Sequence, residues 1–270
     1  LTSGSEALAA LFSGEIDILP TSIGIGLLNG IGRGGQARLV MPTSTWSAAG
    51  CPSAGLLVRR DRLEAGEFAD LAQVKGMRLA TNPIGMEGFY IEKALNEVGL
   101  GLDDLVVEDL PPPALADALA KRAVDLVHAA EPWVTRLMAE GEAAMLLPAK
   151  DVLPDSHPAA VVYGPTILGD KRKAGTRFAV AFLKAVRQYQ EGKTPRNIAI
   201  LNRATGLDPQ LLERLCLTFI PPDARFNQQG VLDFQAWAFQ KGLLDRQLDP
   251  TELFDLRFAD EARQTLGIAP

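Results

Sequence analysis

Short apolar, β-branched runs alternate with amphipathic helical runs through the first 165 residues, and after about residue 170 only helical spacing remains. Apolar runs of strand length bounded by turn residues predict strands at 15–19, 37–41, 55–59, 77–81, 105–108, 124–127, 144–147 and 159–163. Apolar positions three and four apart predict helices between them, at about 5–13, 22–31, 86–98, 113–122 and 132–140. The later helices are expected at about 171–191, 195–204, 208–217, 228–241 and 258–266. Gly192, Gly206 and Gly242 punctuate their ends, and Pro195 and Pro209 suit first helical turns. Several strands are apolar throughout, as when helices cover both sheet faces, so the pattern predicts an α/β chain with a parallel sheet. Two half-length α/β units followed by a helical tail give a two-lobed organisation.

Composition narrows the functions open to such a chain. At 270 residues, 47% hydrophobic and 22% charged, it has the balance of a folded globular protein. No apolar stretch approaches the ~18 residues that span a bilayer. A formal charge of −6, with Lys and Arg unclustered, argues against a nucleic-acid partner. Two cysteines, Cys51 and Cys216, offer no disulfide framework and no thiolate zinc cluster, and two histidines leave little for a metal site. No cofactor or metal is expected. The chain opens at Leu1, Thr2 and Ser3 without a signal segment, and reads as a piece that begins inside a longer protein.

In α/β sheets ligands sit beyond the carboxyl ends of strands, where helix N-termini present free N–H groups. Three loops meet that rule, at 20–23, 82–86 and 129–133. Thr21 and Ser22 either cap the following helix or hold a ligand oxygen at its positive end, and the two roles are compatible. Asn82 offers a donor and an acceptor, and Gly85 allows close backbone approach, although a plain strand-to-helix turn explains both nearly as well. Glu131 and Pro132 form a helix start, and Trp133 either stacks on a planar ligand or fills a core. Tyr163, at the end of the last strand, is a further ligand contact. Glu87 reads as a structural charge in a first helical turn, His128 as a satisfied core residue, and Arg33 as a helix C-terminal charge. The run from Gly30 to Gly35 fits G-x-G-x-x-G but follows a helix, which is the wrong context for a dinucleotide.

Ala7, Leu8, Gly14, Glu15, Ile16, Asp17 and Ile18, then Asp70, Leu71, Lys75 and Gly76, then Ala94, Leu95, Gly99 and Leu100 carry a resemblance to the SsuA/TauA/NMT1-like solute-binding proteins. It continues through Ala118, Leu119, Val124 and Asp125 to Glu131, Pro132 and Trp133, then through Phe178 to Ala185 and Gly206 with Leu207. It implies a type II periplasmic-binding-protein fold, with one lobe at 1–57 plus 165–270 and the other at 58–164. The family's opening strand, helix and strand are missing here. It also implies capture of a small solute between closing lobes, in the periplasm or anchored to the membrane on its extracellular side, by a monomer that delivers to an ABC permease. The second-lobe loop of the family often carries Gly-Ser or Gly-Thr, whereas this chain has Asn82, Pro83, Ile84 and Gly85. The resemblance implies a small organic anion of the sulfonate, taurine, nitrate or carboxylate class, or a heteroaromatic of the pyrimidine class, and this loop makes a larger, flatter or partly apolar solute equally admissible.

Two other functions fit the same fold. One is an enzyme, desulfinase-like or pyrimidine synthase-like, for which Cys51 in its loop would be the exposed thiol while Cys216 packs in a core. The other is a ligand-sensing domain of a signalling protein. The binder is the principal reading, because no nucleophile is paired with a base and the expectation is no catalytic residue.

Overall fold

The computed structural model describes residues 4–68 and 70–268; the opening Leu1, Thr2 and Ser3 lie outside the described residues. All eight expected strands form: β1 (Ile18–Ser22), β2 (Arg38–Trp46), β3 (Ala54–Arg59), β4 (Arg78–Ala80), β5 (Val106–Glu108), β6 (Leu126–Ala130), β7 (Ala143–Pro148) and β8 (Ser156–Tyr163). The chain divides into two units. The first takes the chain up to Thr45, Ser156–Gly192 and everything from Phe219 onward; the second takes Trp46–Asp155 and Lys193–Thr218. The breaks fall at 45/46 and 155/156 rather than at 57/58 and 164/165, and 193–218 returns to the second unit. There Cys216 is bonded to Cys51, with Cα atoms 5.8 Å apart.

In the first unit the strand order is β1-β8-β2, and β1 pairs antiparallel with β8 from Ile18 opposite Tyr163 to Ser22 opposite Ala159. Pro20 is tolerated because β1 is an edge strand and needs only one set of ladder bonds. The helix Arg172–Tyr189 turns Ala179, Leu183 and Val186 inward at helical spacing. Ala179 and Leu183 pack with Val161, Tyr163 and Phe258 in one buried cluster.

In the second unit the order is β5-β4-β6-β3-β7. β4 runs parallel to β5 and β6, but β3 runs antiparallel to β6 and β7. The expected parallel sheet is thus a mixed one. The helices Met86–Glu97 and Leu115–Ala120 cross over between β4, β5 and β6, as parallel neighbours require. A run of apolar residues carries no mark of strand direction, so the reversed β3 was not visible in the pattern.

Parallel pairing of β4 and β6 brings their carboxyl ends to one edge of the sheet, and both turns expected to bind, at 82–85 and 131–133, leave from it. Behind that edge Asp125 anchors the sheet. It is buried, accepts the Arg78 backbone N–H at 3.1 Å and meets Arg62 at 2.9 Å. Burial opposes its ionisation, but those two partners outweigh the burial and hold its pKa below the ordinary value.

Candidate functional site

The turn after β4 is built by its own side chains. Asn82 Oδ1 accepts the Ile84 N–H at 3.1 Å, and Gly85 takes the N-cap position of the Met86–Glu97 helix in an extended conformation. One acceptor of Asn82 is therefore committed to the turn. Gly85 serves a close approach, because a Cβ there would lie 2.6 Å from Glu87 Oε2. The Glu87 carboxylate thus folds back over the first turn of its helix. Burial pushes its pKa up; its own backbone N–H opposes the shift and the nearby Asp109 adds to it.

At the end of β6, Glu131 is fully engaged. Its Oε1 accepts from Thr135 Oγ1 at 2.7 Å and from the Cys216 N–H at 3.0 Å, and its Oε2 accepts from the Thr135 N–H at 3.1 Å. It caps the helix Trp133–Ala139 and ties down the chain around Cys216. Trp133 is half-buried at the helix start, packs against the core that contains Val134 and Leu137, and carries the Arg136 guanidinium 5.4 Å from its ring centre. One side of it, with Pro132, Leu207 and Leu211, lines a small groove.

Thr21 and Ser22 do not cap a helix. β1 continues through both, the Ile23 N–H donates to the Pro158 carbonyl at 2.8 Å, and the helix starts only at Ile25 with Gly24 at its N-cap. Their backbones belong to the β1–β8 ladder, which holds them extended. Tyr163 is likewise no surface contact. It is fully buried, donates its hydroxyl to the Gly175 carbonyl at 2.8 Å and meets Phe258 edge-on at 4.9 Å. Burial also pushes its phenol pKa up. Tyr163→Phe should therefore cost about 0.5–1.5 kcal/mol of stability by urea unfolding, through the lost hydrogen bond to the Gly175 carbonyl, and leave solute affinity unchanged. A loss of affinity at wild-type stability would restore Tyr163 to the site.

The two histidines differ sharply. His157 is buried and satisfied, with the Asn227 N–H donating to its Nε2 at 2.8 Å and Thr45 Oγ1 2.8 Å from its Nδ1. The Nε2 therefore accepts, and the Nδ1 proton faces Thr45. His128, expected to be a satisfied core residue, is not. Its Nε2 is buried without a hydrogen-bond partner, and so are Thr81 Oγ1 and Tyr90 OH. Burial lowers the His128 pKa to about 4, so the ring is neutral at pH 7. Its ring meets Tyr90 edge-on at 5.6 Å, and Tyr90 in turn meets Trp46 at 5.3 Å. Sequence reasoning passed over Thr81, Tyr90 and Trp46. Thr81 could have been found from the strand-end rule itself, since it stands where β4 hands over to a turn expected to bind, and His128 lies two residues before the end of β6.

Cys51 and Cys216 are disulfide-bonded, which overturns the reading of the first as an exposed thiol and of the second as a free core residue. Among the described residues no group of three or more His, Cys, Asp or Glu is placed to hold a metal ion.

The NMT1-like family model matches residues 1–202. No curated protein matches the sequence. Among solved structures, the chain is similar to the ligand-binding component of an ABC-type import system from Staphylococcus aureus with zinc bound. That match has a TM-score of 0.78 at 14% identity, over 97% of this chain and 86% of that one. The periplasmic aliphatic sulphonate-binding protein SsuA from Escherichia coli matches with a TM-score of 0.75 at 18% identity, over 94% of this chain and 80% of that one. A cysteine-to-serine mutant of DszB in complex with biphenyl-2-sulfinic acid matches at 0.68 and 14% identity, over 97% of this chain and 90% of that one. At such identities the likeness is one of fold, and the fold is the periplasmic-binding-protein type that the resemblance implies.

Proposed function

The chain belongs to the NMT1-like family, and from that membership we propose that it is the extracytoplasmic solute-binding component of an ABC importer. It captures a small organic anion or a nitrogen heteroaromatic as a monomer and presents it to a membrane permease. The observation that carries this reading is the family match across residues 1–202. Two features support it. The turns at 82–85 and 131–133 leave one sheet edge at the carboxyl ends of parallel strands, the position where α/β sheets take ligands. A bonded cysteine pair suits an oxidising compartment outside the cytoplasm. No helix among the described residues is long and apolar enough to cross a membrane.

A cysteine-dependent enzyme reading loses its nucleophile, because a thiolate is needed and both sulfurs are bonded to each other. Thr21, Ser22, Asn82, Gly85, Glu131 and Trp133 remain ligand-contact proposals, with Asn82, Gly85 and Trp133 the better placed of them. Thermal-shift measurements with taurine, methanesulfonate, nitrate, benzoate, nicotinamide and cytosine test the function. At ligand concentrations a hundredfold above Kd, a true ligand adds about 2.7 kcal/mol and raises the melting temperature measurably. No shift with any of these compounds would overturn the proposal.

A further inference from the structure

Thr81 directly follows β4, and His128 is the third of the five residues of β6. β4 and β6 pair with Ala80 opposite Val127, so the following residues, Thr81 and His128, continue that register and share a face. Tyr90, in the second turn of the Met86–Glu97 helix, brings its ring against that of His128, and Trp46 closes on Tyr90 from another side. Tyr90 is 0% and Thr81 4% exposed, yet neither hydroxyl has a partner, and neither has His128 Nε2. Native interiors pair nearly all their buried polar groups, so three orphans in one cluster mark a place that something else completes.

The local charge says what kind of group that is. His128 is neutral, and burial, with Glu87 adding to it, keeps the Tyr90 phenol protonated. The positive end of the Met86–Glu97 helix is already faced by its own Glu87 carboxylate, three residues before Tyr90 on the same helix face. Asp109 acts on Glu87, and Glu87 acts on Tyr90, both as carboxylates. An arriving anion would meet like charge rather than free N–H groups.

Resting on the solute-binding reading, we propose that Thr81, Tyr90 and His128 form a subsite for an uncharged hydrogen-bonding edge of a planar solute, an amide or amino-heterocycle, and that Glu87 excludes anionic groups from it. The Tyr90 hydroxyl donates to the acceptor of that edge. Thr81 Oγ1 and His128 Nε2 take its remaining donor and acceptor, and the Trp46 and Tyr90 rings give it apolar walls.

Isosteric pairs separate charge from shape. Calorimetric titration of the full chain with benzamide against benzoate, and nicotinamide against nicotinate, should give the amide about tenfold tighter binding or better in at least one pair. Glu87→Gln should move that ratio about tenfold toward the carboxylate. Tyr90→Phe, which keeps the ring packing, should weaken the amide while the folded protein persists by circular dichroism. The imidazole resonances of His128 should shift on titration with the amide. The inference is overturned by a wild-type preference for the carboxylates, by an unchanged ratio in Glu87→Gln, or by amide affinity that Tyr90→Phe leaves intact, which would assign the cluster to an internal water. If neither pair binds but a sulfonate or nitrate raises the melting temperature, the subsite falls and the solute-binding function stands. If nothing binds, both fall.

Discussion

Reduction of the Cys51–Cys216 disulfide will lower the free energy of unfolding by about 2–5 kcal/mol. The two residues are 165 apart in sequence, and in the chain-entropy treatment a loop of that length restricts the unfolded ensemble by about 5 kcal/mol. The native side of the balance points the same way. The segment Lys193–Thr218 is attached to the second unit late in the chain, and its own apolar cluster is small, with Ile198, Leu212 and Leu215 as its buried members. Besides the disulfide, the Glu131 carboxylate holds the Cys216 N–H, so the bond and the cap of the Trp133–Ala139 helix share one anchor. Urea unfolding with and without a phosphine reductant measures the effect, and a Cys51→Ser/Cys216→Ser double variant should show the reduced midpoint under both conditions. Identical midpoints for oxidised and reduced wild type would remove the disulfide from the account. Thiol titration of the denatured, unreduced protein should find no free sulfhydryl.

That bond also shows where sequence reasoning stopped. Apolar runs such as 159–163 and the helical spacing of Ala179, Leu183 and Val186 mark elements directly, because burial on one face demands residues at fixed intervals. All eight strands and the long helices were legible for that reason. Pairing is a different matter. Nothing in the run 55–59 says that its neighbours will lie antiparallel, and nothing in Cys51 or Cys216 alone says that 165 residues of chain return to join them. The clue available was arithmetical, an even cysteine count in a chain whose resemblance already implied an oxidising compartment. At the site, turn residues were readable and their partners were not. Gly85 and Asn82 stood out by type, whereas Thr21 and Ser22 looked like caps until the β1–β8 ladder claimed them. His128 and His157 are both strand histidines near turns. Only the folded arrangement reveals that one has Thr45 and Asn227 around its ring and the other an unpartnered Nε2.

Gly88→Ala should destabilise the protein by about 1–3 kcal/mol, although helix propensity alone argues for a gain. In an open helix interior, replacing glycine by alanine stabilises by up to ~1 kcal/mol, because the unfolded chain loses freedom. Gly88 lies in the first turn of Met86–Glu97, where the chain has just come round the Asn82–Gly85 turn, and its Cα faces the backbone of Pro83. A Cβ at this position would collide with the Pro83 carbonyl oxygen and lie 2.6 Å from its carbonyl carbon and 3.0 Å from its Cα. These are backbone atoms of a residue whose φ is fixed by its ring, so no rotamer change relieves the contact. Either the helix start or the turn must move, and with it Gly85, Glu87 and the orphaned hydroxyl of Thr81. The variant should therefore also weaken solute binding more than its stability loss explains. Gly101→Ala is the matched control, since its Cβ would meet nothing within 4 Å and its φ of −130° suits any residue, so its midpoint should stay within ~0.5 kcal/mol of wild type. Urea midpoints of the two variants decide the matter. A Gly88→Ala protein as stable as Gly101→Ala would mean that the 82–85 turn is not pressed against the helix, and that the carboxylate of Glu87 is not held over the helix start by close packing.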